Sequence, residues 1–220
     1  AIGLGGTITE RLVFPTQPEV TPDHLVTLVA EAVKQLGSTI GTTSRVCGVG
    51  VSVPGTVDLS TGRVGFAPNL GWEDVRLGAM LEEVAPEGAP VVVANDADLA
   101  VLAEHQRGNA RDCDDVVFLM GRIGVGAGII VNGVPVRGRD GHAGEIGHNV
   151  LDPTGPECHC GKRGCVETYL GETALLQLAG RRVSHADTDT PRLFAEARAG
   201  RPRAVRAIEA AAEPLGRCIA

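Results

Sequence analysis

Apolar positions along the chain fall into short clusters with two different periods. Leu25, Leu28, Val29, Ala32, Val33 and Leu36 recur three and four residues apart, which predicts a helix over 23–36 with Asp23 as its cap. Residues 45–53 alternate valine with glycine, cysteine and serine, the pattern of a buried strand, and Pro54-Gly55 breaks it into a loop that runs to Trp72. A short helix is predicted over 77–84. A valine-rich strand over 90–94 follows and ends at Asn95-Asp96, and a helix over 97–107 is ended by Gly108. Upstream of all these, residues 1–14 read as two short strands around a Gly5-Gly6 turn, followed by a proline-rich connection over 15–22.

A second round repeats the alternation. Residues 115–120 read as a strand, Gly124, Gly126 and Gly128 as a turn, and 129–131 as the next strand. Asn132-Gly133 is the signature of a type I′ hairpin turn, with 134–136 pairing back. Helices are predicted over 167–179, 191–200 and 203–220. Two rounds of strands followed by helices predict an α/β chain of two lobes, 1–112 and 113–220, hinged near 108–114. Ligands in such folds sit at the carboxyl ends of strands, where Pro54-Gly55 and Asn95-Asp96 emerge. The chain opens inside an apolar run and closes on an uncapped helix, so the expectation is a fragment truncated at both ends.

Composition narrows the class. Apolar residues make up 43% of 220 residues, enough for a packed core and too many for a disordered chain. No apolar run approaches the ~20 residues that span a bilayer, and residues 1–9 carry no charged leader, so a cytoplasmic protein without membrane contact is expected. A net charge of −7 advertises no nucleic-acid surface, so any DNA contact would come from a domain outside this chain. Of six cysteines, three crowd into eight residues, which in a cytosolic chain points to metal binding before disulfides. Cys47, Cys113 and Cys218 are expected to be small buried hydrophobes, and His24, His105 and His185 surface residues.

The strongest chemical signal is Cys158-x-Cys160-x4-Cys165, with Gly161 and Gly164 inside it. Thiolates are soft ligands that suit Zn²⁺, and structural zinc takes four donors. The candidates for the fourth are His142, His148 and His159. His159 sits between two ligands, and the nine residues after His148 can close onto the cysteines, which favours His148. With four protein donors the site would be structural rather than catalytic.

Asn95-Asp96 ends a buried strand, where Asp96 reads either as a helix cap or as a base for a substrate hydroxyl. Glu145 and Glu167 flank the cysteine segment and read either as surface carboxylates or as bidentate acceptors for sugar hydroxyls. Gly121-x-x-Gly124-x-Gly126-x-Gly128 could cradle phosphate with backbone amides, though no Lys, Ser or Thr lies in it. Trp72 could pack under a sugar or anchor its loop, and the anchor is favoured.

The segments His142-Ala143-Gly144-Glu145-Ile146-Gly147-His148 and Cys158-His159-Cys160-Gly161-Lys162-Arg163-Gly164-Cys165-Val166-Glu167 resemble the ROK family, which groups bacterial sugar kinases with sugar-responsive repressors. The resemblance extends to Val51-Ser52-Val53-Pro54-Gly55, Pro68-Asn69-Leu70-Gly71-Trp72 and Ala94-Asn95-Asp96-Ala97, and so covers nearly the whole chain. It implies an actin-like, ribonuclease-H-like two-lobed ATPase fold with a zinc knuckle over 142–167. It also implies that His148, Cys158, Cys160 and Cys165 are zinc ligands. Asn95, Asp96, Glu145, His148 and Glu167 would be the sugar contacts, with Asp96 as the base in a kinase.

Two departures from the family's kinases matter, and the second favours the repressor branch. The family's kinases open with Asp-x-Gly-Gly-Thr, but Gly3 stands where that Asp would be. Seven residues separate Gly6 from Phe14, too few for the usual hairpin, so the first phosphate strand would lie upstream of Ala1. Kinases also carry Gly-Thr-Gly in a second phosphate loop, where this chain has Arg122-Ile123-Gly124 and so lacks the hydroxyl. The expected function is therefore the sugar-sensing effector domain of a ROK-type transcriptional regulator. It would bind a small sugar or sugar phosphate between the lobes and be linked to a DNA-binding domain. Reading a palindromic operator would call for a homodimer or higher homo-oligomer. The alternatives are an ATP- and Mg²⁺-dependent sugar kinase, of glucokinase or N-acetylhexosamine kinase type, and a purely structural zinc module.

Overall fold

A computed structural model of the chain describes residues 1–14, 20–39, 44–121, 124–182 and 186–219, with side chains withheld at 186–188. It divides into two compact units, Ala1–Asp96 and Ala97–Ala220. The division therefore falls at residue 96 rather than at the expected 112, because the helix that follows Asn95 packs with the second unit.

In the first unit, α1 (Pro22–Thr39) starts on Thr21, whose Oγ1 accepts the His24 backbone N–H at 3.2 Å. The cap is thus Thr21, not Asp23, which instead lies in the positive first turn of the helix. Leu25 and Val29 of the predicted apolar stripe pack against the core, together with Val26. Strand β1 (Val49–Val53) pairs in parallel with β5 (Val91–Asn95), Val49 opposite Val91 and Val53 opposite Asn95.

Parallel neighbours need a crossover. Here it contains an antiparallel sheet, β2 (Thr56–Asp58), β3 (Arg63–Ala67) and β4 (Trp72–Val75), and the helix α2 (Leu77–Glu82). The expected loop from Pro54 to Trp72 is therefore a sheet. Its first turn is tied by Asp58, whose carboxylate accepts the Ser60 N–H at 2.9 Å and the Thr61 hydroxyl at 2.9 Å. The Ser60 hydroxyl, which donates to the same carboxylate at 2.7 Å, and then those two bonds hold the Asp58 carboxyl below the usual carboxylate range.

Val53, Val57, Val64, Leu77, Leu81, Val93 and Trp72 form the core of this unit. Each fully buried Leu or Val contributes about 1.5–3 kcal/mol. Trp72 donates its indole N–H to the Val20 carbonyl at 2.8 Å, so it anchors the start of α1 and is not a sugar platform. At the amino end the expected hairpin reduces to one antiparallel bridge, Ile2 to Ile8, around the turn at Gly5-Gly6. Ile2, Leu4 and Ile8 are all exposed, so no apolar face extends the pairing.

The second unit opens with α3 (Asp96–Arg107), then β6 (Val116–Gly121), β7 (Val125–Val131) and β8 (Val134–Pro135), an antiparallel sheet in that order. Asn132 and Gly133 both adopt positive φ, 50° and 73°, the geometry of a type I′ turn. Gly126 and Gly128 are not in a turn. They pair with Met120 and Phe118 within the β6–β7 ladder. A methyl on Gly128 would meet the Ala97 carbonyl at 2.3 Å and Val101 at 2.5 Å, so this glycine lets α3 lie directly on β7.

Helices α4 (Glu167–Leu170) and α5 (Glu172–Leu178) are split at extended Gly171, where one helix was expected. Helices α6 (Ala186–Arg198) and α7 (Pro202–Ile219) complete the unit, α6 starting five residues before the expected Pro191. Ala204 and Ala207 of α7 close onto Leu176 and Leu193 in a second core. The buried Glu172 carboxylate accepts the Thr190 hydroxyl, joining α5 to α6. No described helix is long and apolar enough to cross a membrane.

The α3–β7 contact predicts that Gly128→Ala lowers stability by about 1–3 kcal/mol, the usual cost of overpacking. Gly50→Ala, whose methyl meets nothing within 4 Å, should be neutral within ~0.5 kcal/mol. Urea unfolding of the two variants reads the difference.

Candidate metal centre

The segment from Gly144 to Glu167 carries little apolar bulk, and its conformation is set by backbone hydrogen bonds and turns. The Gly144 carbonyl accepts the Ala127 N–H at 2.9 Å, which pins the segment to the middle of β7. Glu145 starts a single 3-10 turn over Ile146–His148, and the His148 N–H donates back to the Glu145 carbonyl at 3.2 Å. The chain then loops out and returns through two isolated bridges, Val150 with Cys165 and Glu157 with Arg163.

Asp152 tightens the loop. Its carboxylate accepts the Thr154 N–H and hydroxyl at 2.8 and 2.7 Å, and its carbonyl accepts the Gly155 N–H at 2.9 Å. Arg217 of α7 donates to the Leu151 carbonyl at 2.9 Å, tying the loop base to the last helix. Asp152 and Arg217 were absent from the sequence reading. Asp152-Pro153-Thr154-Gly155 is an Asx-turn signature and could have shown the first, but nothing local marks the second, 66 residues away.

This folding brings four donor atoms together. A ring nitrogen of His148 and the sulfurs of Cys158, Cys160 and Cys165 all lie within 4.8 Å of one another. Cys158 Sγ is 3.7 Å from His148 Nδ1, and Cys160 Sγ is 3.7 Å from Cys165 Sγ. A tetrahedron of ~2.3 Å metal–sulfur bonds has edges of about 3.8 Å, so the spacing fits one ion held by four ligands. His142 takes no part. It is exposed, with its Nδ1 at 3.1 Å from the Arg139 carbonyl, and His159 is exposed as well. The other cysteines depart from expectation: Cys47 and Cys113 are exposed, and Cys218 is half-buried.

The thiols are electrostatically unequal. Burial, and then the Glu167 carboxylate beside it, push Cys158 far up from the ordinary thiol value. Burial also raises Cys165. At Cys160 burial works upward but is outweighed by the Lys162 backbone N–H, the two neighbouring thiols and the Lys162 charge, so this thiol sits below its usual value. Metal ligation needs thiolates, so binding an ion here releases protons.

Glu167, the first residue of α4, is 9% exposed and lies at the rim of the donor set. Its Oε1 accepts from Cys158 Sγ at 2.7 Å and stands 3.6 Å from His148 Nδ1. Glu145 is half-buried at the other end of the His148 turn.

The remaining candidate residues are placed elsewhere. Asn95 ends β5 and donates its amide to the Gly55 carbonyl at 2.9 Å, tying the strand end to the Pro54-Gly55 turn, and Asp96 opens α3. Gly124 precedes β7, whereas Gly126 and Gly128 are strand residues committed to packing, so the three do not form one phosphate-cradling turn. Arg122 and Ile123 lie outside the described residues.

The sequence model described as the ROK family matches residues 1–220. A xylose repressor from Bacillus subtilis is 33% identical over 190 residues, 84% of this chain and 48% of the repressor. A glucokinase from Halalkalibacterium halodurans is 35% identical over 181 residues, 81% of this chain and 54% of the kinase. The chain thus spans about half the length of these curated relatives. Among solved structures, a ROK family glucokinase from Streptomyces griseus, in complex with glucose and AMPPNP, superposes with a TM-score of 0.80 at 32% identity, covering 99% of this chain and 72% of that one.

Gly164 has φ +66°, and a methyl there would fall 1.6 Å from the Asp152 carbonyl oxygen, whereas Gly161, at φ +85°, faces open space. Gly164→Ala is therefore expected to strip bound metal from the loop and to destabilise by roughly 3 kcal/mol or more. Gly161→Ala should cost only the ~1–2 kcal/mol of left-handed backbone and keep the metal. Metal content per chain after desalting, read beside thermal unfolding, separates the two.

Proposed function

The chain belongs to the ROK family, and on that premise we propose that it is the sugar-sensing effector domain of a ROK-type transcriptional regulator, organised around a structural zinc ion. The observation that supports the sugar reading is that His148 belongs to the candidate donor set, with Glu167 against Cys158 and His148 and with Glu145 at the start of the His148 turn. Three thiolates and an imidazole suit zinc, and four protein donors leave no open position, so the ion's part is to fix the loop.

His148 gains most from this. With Nδ1 committed to the metal, the ring proton sits on Nε2, which becomes a donor for a sugar oxygen. The carboxylates of Glu145 and Glu167 accept hydroxyl hydrogens, each able to take two from neighbouring carbons of a ring. Asn95 and Asp96, at the carboxyl end of a parallel strand, are further proposed sugar contacts. A sugar that binds one conformation better than another shifts the population between them, and a linked DNA-binding domain in a homodimer would read that shift.

Ile123 favours the sensor over a kinase. It places an apolar chain where the family's kinases carry a threonine hydroxyl, next to Arg122 in place of a glycine. Phosphoryl transfer is mostly positioning of phosphates and Mg²⁺, so a lost polar contact in that loop removes what catalysis depends on. The commitment of Gly126 and Gly128 to α3 supports the same reading. The kinase is the second reading. It is favoured by Asn95-Asp96 at the end of β5, where Asp96 would take the proton from the attacking sugar hydroxyl, and by the likeness to the Streptomyces griseus glucokinase.

Glucose, xylose, N-acetylglucosamine and N-acetylmannosamine should be screened by thermal shift with ATP and Mg²⁺ present and absent. At least one is expected to raise Tm without ATP and without sugar-dependent ADP release. Glu145→Gln should weaken that sugar by about 10–100-fold, the loss of a charged hydrogen bond worth ~1.5–3 kcal/mol. Sugar-dependent ADP formation that disappears in Asp96→Asn would establish the kinase instead, and no shift with any of the four would count against both readings. Metal analysis of the purified protein should give about one zinc per chain, and Cys160→Ser should lower both zinc content and Tm, since metal-binding energy is folding energy.

A further inference from the structure

We propose that Cys160 and Cys165 are a thiol–disulfide site, oxidised by hydroperoxides, whose closure dismantles the metal centre. This rests on the metal reading of the cluster and not on the choice between sensor and kinase.

Access within the cluster is uneven. Cys165 is fully buried and Cys158 is buried, whereas Cys160 is partly open to solvent on an exposed stretch that continues through Gly161, Lys162 and Arg163. An oxidant therefore reaches Cys160 first. The Cys165 sulfur stands 3.7 Å behind it. A disulfide is ~2.05 Å long, so the two sulfurs need to close by about 1.7 Å. Gly161 leaves room beside Cys160 for that shift, because a methyl built on it would meet nothing within 4 Å. Cys165 stays in place, held by its bridge to Val150 and by the packed Val166. Cys158 also lies against Cys160, whose backbone N–H donates to its sulfur at 3.5 Å, but that buried sulfur is engaged by Glu167 and His148, which favours Cys165 as the resolving partner.

The chemistry balances. The Cys160 sulfur attacks one oxygen of the hydroperoxide. The O–O bond breaks, and an alcohol, or water if the oxidant is hydrogen peroxide, leaves with a proton. The Cys165 sulfur then attacks the sulfenic sulfur of Cys160. The S–S bond forms, the S–O bond breaks, and a second molecule departs as water. Two thiols lose two electrons to one peroxide. When the sulfurs start as metal-bound thiolates, two solvent protons complete the waters. Two of the four donors are then gone, and Cys158 with His148 alone offer half a coordination set. The Nδ1 that fixed the His148 tautomer is released as well, so the oxidised chain loses the ordered edge on which the proposed sugar contacts stand.

The test uses the full chain, purified reduced and assayed for metal before treatment. Stoichiometric hydrogen peroxide is added, free thiols are alkylated, and peptide mass spectrometry maps the linkage while a chromogenic chelator reads metal release. A 2 Da loss mapped to a Cys160–Cys165 peptide, about one equivalent of metal released, and reversal by dithiothreitol are expected. In Cys165→Ser the cross-link should vanish and a Cys160 sulfenic acid should be trapped by dimedone. The wild-type mapping stands by itself if that variant does not fold.

The proposal is overturned if Cys160 and Cys165 remain alkylatable at a dose that oxidises the exposed Cys47 and Cys113. It is equally overturned if the linkage maps to Cys158, or if Cys160 passes to sulfinic acid without a cross-link. A linkage that forms in protein carrying no metal beforehand would leave the thiol pair standing and remove the metal reading.

Discussion

The closed set of one imidazole and three sulfurs is the constraint on which the sugar-binding reading depends. Residues 149–164 hold very little buried apolar surface, since their buried members are Cys158 and Gly164. A loop of that length loses on the order of 1–2 kcal/mol of backbone entropy per ordered residue, which turns alone do not offset. A metal ion held by side chains that meet at one point, 3.7 Å apart, would supply what a hydrophobic core would otherwise supply. The order then propagates outward. Cys158 carries Glu167 with it, His148 carries the turn begun by Glu145, and Arg217 and Asp152 brace the return of the loop.

The same unit shows how one glycine pattern can serve two physical purposes. Gly124, Gly126 and Gly128 look in sequence like an amide cradle for phosphate. In the fold, alternate residues of β7 share one face, and Gly126 and Gly128 lie on the face that meets Ala97 and Val101 of α3. Their missing side chains let the helix approach the strand. Period two was present in the spacing, and it is the strand period, so the pattern carried its own correction.

What was legible in the sequence was whatever had a strong local period or a specific chemical cluster. The β1 and β5 valines, the helical spacing of α1, the Asn132-Gly133 turn and the four metal-ligand candidates all belong to that class. The β2–β3–β4 sheet was not legible, because three-residue Thr56–Asp58 and four-residue Trp72–Val75 are too short to show alternation and are stabilised by pairing with Arg63–Ala67. The unit boundary was missed for a related reason. Gly108 and the polar residues after it look like a linker, yet where α3 belongs is decided by a contact with β7 some thirty residues away. Thr21 was overlooked as a cap because Asp23, two residues on, is an equally good capping type.

Sensor and kinase share nearly every residue placed in the structure, so the difference between them is energetic rather than architectural. Both readings need Glu145, His148 and Glu167 to bind a sugar, and both gain from Asn95 fixed against the Gly55 carbonyl. A kinase needs something more, a set of donors aimed at phosphate oxygens where charge moves during transfer. Where the resemblance implies a threonine hydroxyl in kinases, this sequence has Ile123, which offers no such donor. An oxyanion-hole donor, a charge-stabilising contact of the same type, is worth roughly 2.7–4 kcal/mol of barrier, or 10²–10³ in rate. A chain altered in this way would keep recognition and give up turnover, the combination that the sensor reading requires.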